Sequence, residues 1–369
     1  MVAPGPPPSP GGAAPAGLRR RRWPAVLVVV LLLLLIATFL PIPYYAVAPG
    51  SARQVNDLIR TPAERSVPPR GRVLMATVSL RKLTPVDALV GWLDGETEVV
   101  AEEEILGSTS REEFSRQNRE LMEESKQAAT VVALRQLGYA VPEHGTGALV
   151  VDVEKGSPAD GRLAPDEVVI AVDGRPTPLA SQAVSTIRAR KPGETVRLDV
   201  RGRQGATRRE QVVLTRNPKR EGGFLGVFVV TKDQRFDFPF DVRIESGDIG
   251  GPSAGLAYTL GILDSLTVGE LTAGKKVAAT GTMEMDGTVG EVGGVAQKTA
   301  AVRSSGVDYF LVPPGEYDEA KAHAGDDLEV VKVSSVSEAV AALAGLGGEA
   351  RALAGPAAKK SFEVRRRRP

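Results

Sequence analysis

Three patterns of apolar and polar positions divide the chain. Over residues 23–45 the run WPAVLVVVLLLLLIATFLPIPYY contains no charged residue. At about 1.5 Å per residue, a helix of that length reaches across a hydrocarbon core of about 30 Å. The pattern predicts one transmembrane helix over 23–45, with Trp23, Tyr44 and Tyr45 in the interfacial belts. A cleaved signal peptide is the rival reading, with AVA at 46–48 as its cleavage site, but Pro49 would follow the cut directly and the apolar run is long for such a signal. Arg19 to Arg22 precede the span, which keeps the N-terminus cytoplasmic and sends everything after residue 45 across the membrane.

The second pattern covers residues 46–140. GRVLMATVSLRKL alternates as a strand does, and TPVDALVGWLDG has a threonine cap, a first-turn proline and a glycine stop. Ser110 and Glu113 are spaced as a capping box ahead of a run with Phe114, Leu121, Ala128 and Val132 at helical spacing. The expectation is a membrane-proximal α+β segment whose long helix is a charged surface element without chemistry.

From residue 146 to 214 the chain turns to short strands separated by turn signals, and a mixed pattern resumes after 223. The ends differ in kind. Residues 1–22 are rich in Pro, Gly and Ala, and residues 346–369 are basic and rich in Ala and Gly, compositions that cannot bury a core and read as disordered tails.

Composition removes several functions. The 46 basic and 45 acidic residues leave a formal charge of +1, so no field draws nucleic acid. The absence of cysteine excludes disulfide scaffolds, thiol nucleophiles and thiolate zinc sites. The only histidines, His144 and His323, give no ligand cluster, and no metal or other cofactor is implied. GGVAQKT faintly suggests a phosphate loop, yet Gln297 stands where the glycine before the lysine is required.

Two regions carry resemblances. GSPA at 156–159, GRLAPDEVVIAVDG at 161–174 and the following SQAVSTIRARKPGETVRLDV resemble a PDZ domain of the bacterial protease-associated type, over residues 141–216. Such domains add an extended peptide to a sheet edge. The resemblance implies that Gly147, Ala148 and Leu149 form the carboxylate loop and strand start, and that Val184 and Ile187 line the groove. A domain kept only as a spacer or oligomer contact is the other reading.

The second region, 223–345, contains RIESGDIGGPSAGLAYTLGILDSLT and then GKKVAATGTMEMDGTVGEVGGVAQKTAAVRSSGVDYFLVP. GPSAG alone leaves Ser253 as either a nucleophile or a helix cap. The whole constellation resembles the membrane-anchored, PDZ-containing branch of the Lon-like serine proteases, in which no ATPase domain is present. The fold class implied is α+β: an N-terminal transmembrane helix, a PDZ-like β-rich domain and a Lon-type α+β proteolytic domain.

By that resemblance Ser253 is the nucleophile, Lys298 its general base, and Thr280 the residue that positions the lysine. The chemistry agrees. A serine hydroxyl needs a base, and a lysine serves when an apolar site lowers its pKa; Lys298 lies among small apolar residues in GGVAQKTAAV. The amides of Gly250, Gly251 and Ser253 are candidate oxyanion donors. Asp248 either assists at the site or only shapes a turn.

The resemblance further implies an ATP-independent endopeptidase acting on unfolded or flexible polypeptides at the cell (plasma) membrane of a bacterium, with the catalytic part extracytoplasmic. It also implies a homo-oligomeric ring, a hexamer by analogy. The alternative from another class is a non-catalytic membrane-tethered PDZ adaptor or scaffold.

Overall fold

A computed structural model describes residues 23–66, 71–217, 221–267 and 269–349. The tail assigned to 1–22 and the part of the basic tail after residue 349 lie outside the described residues.

Helix α1, Trp23–Ala37, is 15 residues long, or roughly 22 Å. It stops ahead of Pro41 and Pro43, which lack the N–H a continuing helix would need. No helix among the described residues is long and apolar enough to cross a membrane. The expected 23–45 span is therefore shortened at its C-terminal end. Tyr44 opens strand β1, Tyr44–Gln54, and Tyr45 is buried in a sheet rather than placed in an interfacial belt.

The elements that follow are β2 (Arg72–Lys82), α2 (Pro85–Leu93), β3 (Glu98–Ala101) and α3 (Arg111–Gln136). Thr84 and Asp87 form a reciprocal capping box at the start of α2, and the Ser110 hydroxyl accepts from the Glu113 amide at the start of α3. An inserted unit comprises β4 (Ala148–Val153), β5 (Val168–Val172), α4 (Ala180–Arg188), β6 (Thr195–Arg201), β7 (Thr207–Val213) and β8 (Val227–Thr231). Its strands pair antiparallel in the order β7-β6-β5-β4-β8, around a core of its own that includes Val150, Val172, Ile187 and Leu198.

The chain then forms α5 (Gly255–Leu266), β9 (Lys276–Ala279), α6 (Val295–Ser304), β10 (Tyr309–Val312), α7 (Tyr317–His323), β11 (Glu329–Lys332) and α8 (Val336–Gly345). The central sheet runs β11-β10-β9-β2-β1-β3. β9 pairs parallel with β2 on one side and β10 on the other, while β1 is antiparallel to both β2 and β3. Residues 46–140 are thus no separate segment. They supply half of the sheet on which the C-terminal region is built, and the PDZ-like unit interrupts that domain. Local pattern does not reveal this, because β2 and β9 meet across some two hundred residues of chain.

Alternation along β2 sorts the core. Val73 and Met75 face the layer containing α3, α5 and α8, whereas Leu74 and Ala76 face α6 and α7. Every residue of α5 is buried, the polar Thr259, Asp264 and Ser265 among them, and each large apolar side chain so buried contributes about 1.5–3 kcal/mol. A Cβ at Gly255 would stand 2.7 Å from Met283 Cβ, so only glycine lets α5 approach the short strand Thr282–Met283.

Candidate active site

The loop over residues 247–254 is fixed from three sides before α5 begins. Gly251 has φ +89°, in the left-handed region that glycine alone enters freely. Its N–H donates to the Asn118 carbonyl of α3 at 2.8 Å. One step on, Ser125 Oγ donates to the Pro252 carbonyl at 2.9 Å. The Ser253 carbonyl accepts from the Gly281 amide at 3.0 Å and from Thr280 Oγ1 at 3.3 Å. Ala254, not Ser253, holds the cap position of α5, and no side-chain cap bond is made there. Ser253 is therefore held by its backbone and is not a helix cap.

Lys298 lies on α6, on the opposite face of the sheet from α5, and is 3% exposed. Burial pulls its amine down to about 8, with the Glu316 carboxylate acting in the other direction. Ser253 and Lys298 line one cleft of about 600 Å³, together with Gly50, Met75, Thr77 and Gly250. The cleft lies where β1 and β2 pass between the two helix layers. No hydrogen bond joins the two side chains in this structure; such contacts commonly tighten only when substrate is bound.

Other expected residues fall differently. Thr280 is fully buried, and its hydroxyl donates to the Ser253 carbonyl rather than to Lys298, so it positions the serine. The Gly251 amide is already engaged by Asn118, whereas the amides of Gly250 and Ser253 are unpaired among the described residues and remain available as oxyanion donors. Asp248 is exposed, lines the same cleft and caps no helix. Neither His144 nor His323 lines the cleft. His144 Nε2 instead lies 2.8 Å from Asp237 Oδ2. Among the described residues no cluster of His, Asp or Glu is arranged to hold a metal.

The expected peptide groove also moves. Gly147 is tied by its amide to the Pro178 carbonyl and by its carbonyl to the Lys232 amide, both at 2.9 Å. Ala148 and Leu149 belong to β4, which is paired on both sides, by β5 and β8, and so has no edge to offer. Ile187 is buried in the core of the unit, while Val184 is half-buried on α4. The free edge beside α4 is β8, which lies beyond the expected boundary at residue 216.

The sequence reading passed over the residues that brace the site. Asn118 and Ser125 belong to the helix read as devoid of chemistry. Gly50 and Ser51 form a bulge where the β1–β2 register breaks between Pro49 and Ala52. There Thr77 Oγ1 accepts from the Ser51 amide at 2.9 Å and donates to its carbonyl at 3.0 Å. The pairing of a glycine in one strand with a hydroxyl residue in the next was the available signal, though only with the register known.

Residues 237–344 match the Lon protease (S16) C-terminal proteolytic domain, and residues 135–213 match the PDZ domain. The Lon protease of Methylocella silvestris is 30% identical over 170 residues, covering 45% of this chain and 20% of that protein. Lon protease 2 of Bacillus subtilis is 30% identical over 103 residues, covering 28% of this chain and 18% of that protein. A solved PDZ domain of the SdrC-like protein of Listeria monocytogenes aligns at 21% identity with a TM-score of 0.22, over 23% of this chain and 88% of that one. The chain thus spans a fifth or less of the length of these curated Lon relatives. On one chain it combines a region similar to the proteolytic domain of Lon with a region similar to PDZ domains.

Proposed function

We propose that the protein is an ATP-independent serine endopeptidase that cleaves unfolded or flexible polypeptides with Ser253 as nucleophile and Lys298 as general base. The observation that carries this reading is the buried, down-shifted Lys298 amine lining the same cleft as Ser253. At neutral to alkaline pH a useful fraction of the amine is neutral. Nζ takes the proton from Ser253 Oγ as Oγ attacks the scissile carbonyl. The amides of Gly250 and Ser253 receive the oxyanion, an interaction worth about 2.7–4 kcal/mol per donor in the barrier. The ammonium of Lys298 then protonates the departing amine, and water enters through the same base to release the acyl group.

The remaining parts of the proposal have their own support. Lys298 of GGVAQKT faces this cleft, and Gln297 occupies the position where a phosphate loop needs glycine, which favours independence from ATP. A membrane tether is favoured by α1, an uncharged helix with Leu27, Val29, Leu31, Leu33 and Leu35 exposed. Beside it, α2 exposes Leu89, Val90, Trp92 and Leu93. The PDZ-like unit would present substrate by adding its chain along β8. A closed homo-oligomeric ring, a hexamer by analogy, would shelter the site.

The test is hydrolysis of an unstructured fluorogenic polypeptide by the native protein, Ser253→Ala, Lys298→Ala and Lys298→Arg, with and without ATP and magnesium. The native protein cleaves at a rate that ATP leaves unchanged, and all three variants are inactive though folded, since a guanidinium cannot give up its proton to act as base. A native protein without activity while peptide binding persists would favour the adaptor reading instead.

A further inference from the structure

Glu316 is a buried carboxylate that the mechanism above leaves unused. It closes the short turn Pro314–Glu316 ahead of α7 and is 8% exposed. Its Oε1 accepts the Val292 amide at 2.8 Å. Val292 stands in the loop that rises into α6 through Gly294, whose carbonyl accepts the Lys298 amide at 2.9 Å. Among the described residues Oε2 is buried without a hydrogen-bond partner.

A carboxylate taken out of water needs donors or a cation for both oxygens. The buried cation whose charged form Glu316 favours is Lys298. The charged groups on the elements around α6 are otherwise exposed or paired: Arg53 on β1, Arg81 on β2, Asp318 and Glu319 on α7, and Asp248 across the cleft are exposed, and Lys82 on β2 is held by Glu102 at 2.8 Å. Water screens those charges far more than it screens a buried pair.

We propose that Glu316 is a positioning residue for Lys298: one oxygen fixes the 292–294 loop that carries α6, and the buried charge of the carboxylate favours the ammonium over the neutral amine. The proposal rests on the reading of Lys298 as base. It separates two jobs, because Gln at 316 still offers an oxygen to the Val292 amide but carries no charge, whereas Ala does neither.

The experiment is kcat/KM for an unstructured peptide from about pH 5.5 to about pH 9.5, with melting curves for each variant. Glu316→Gln should move the acid limb down by about one pH unit, giving about tenfold higher kcat/KM well below the limb. Glu316→Ala, which also lacks the charge, should show the same displaced limb beneath a lowered plateau kcat, with KM little changed. A folded Glu316→Gln protein whose profile superimposes on the native one overturns the proposal. Should Glu316→Gln not fold, Glu316→Asp carries the test: its shorter side chain loosens the field at the amine, so the limb moves the same way by less, and an unmoved limb overturns the proposal. Activity in Lys298→Ala removes the base reading and this inference with it. An inactive Lys298→Ala beside an unshifted Glu316→Gln removes this inference alone.

Discussion

The Gly251 amide donates to the Asn118 carbonyl at 2.8 Å, which ties the loop in front of Ser253 to the N-terminal third of helix α3. About two turns later on that helix, Ser125 reaches the Pro252 carbonyl. The long helix between strands β1–β3 and the PDZ-like unit is thus a splint for Ser253.

Ser125→Ala removes one buried hydrogen bond and leaves the Pro252 carbonyl without it. We expect a loss of about 1 kcal/mol in stability and a fall in kcat of roughly tenfold, since small displacements of a nucleophile are costly. KM should stay near its native value. Denaturant unfolding and steady-state kinetics on the same preparation check both halves.

Lys298 itself should weaken the fold at neutral pH. Its amine is lowered from the ordinary lysine range to about 8. A depressed group contributes stability that is present above its unfolded value and lost as pH falls through its folded value, so below about pH 8 the folded state carries the cost of a buried ammonium. Lys298→Met should be more stable than the native protein at pH 7, by up to about 3 kcal/mol, and the gap should close as pH rises above 10. Melting temperatures of the pair at both ends of that range test the sign.

Asp264 gives the opposite dependence. Buried in α5, its carboxyl is pushed up to about 6, and its Oδ2 accepts from Asn56 Nδ2 at 2.9 Å. A raised group contributes stability that is fully present below its unfolded value and lost as pH rises through the folded one, here between about pH 4 and about pH 6, above which the loss levels off. The loss is on the order of 2–3 kcal/mol. Asp264→Asn keeps an oxygen for Asn56 and should flatten that slope, which unfolding titrations at acid and neutral pH will show.

If a peptide adds to β8, Val184→Asp on the neighbouring helix α4 should weaken binding of a fluorescent decapeptide with a free C-terminal valine by roughly tenfold or more, about 1.4 kcal/mol. Leu149→Thr, on the doubly paired strand β4, should leave it within roughly twofold. Anisotropy titrations distinguish the two, and the reverse ranking would return the groove to β4.

Much of the site was legible in the residues, and the reason is local. Small residues around Ser253 and an apolar setting for Lys298 are short-range features, and Thr84 and Ser110 cap the helices their spacing predicts. What could not be read was everything that depends on distant pairing. β2 lies beside β9, which makes residues 46–140 part of the same domain as the site. β8 closes the edge of β4, which moves the groove from Gly147, Ala148 and Leu149. Thr280 serves Ser253 and not Lys298 because β9 ends beneath the serine's carbonyl. The apolar run of 23–45 was read as one span, but its prolines end the helix at Ala37 and release Tyr44 and Tyr45 to the sheet.

The central claim, that Lys298 activates Ser253, is tested most directly by covalent labelling. The native protein, Lys298→Ala and Ser253→Ala would be exposed to a fluorophosphonate at about pH 8.5, above the Lys298 value, and digested for mass spectrometry. The account predicts one adduct, on Ser253, whose rate of formation rises with pH through about 8 in the native protein and collapses in Lys298→Ala. Equal labelling of Ser253 in Lys298→Ala, or an adduct on another serine in the native protein, would contradict it.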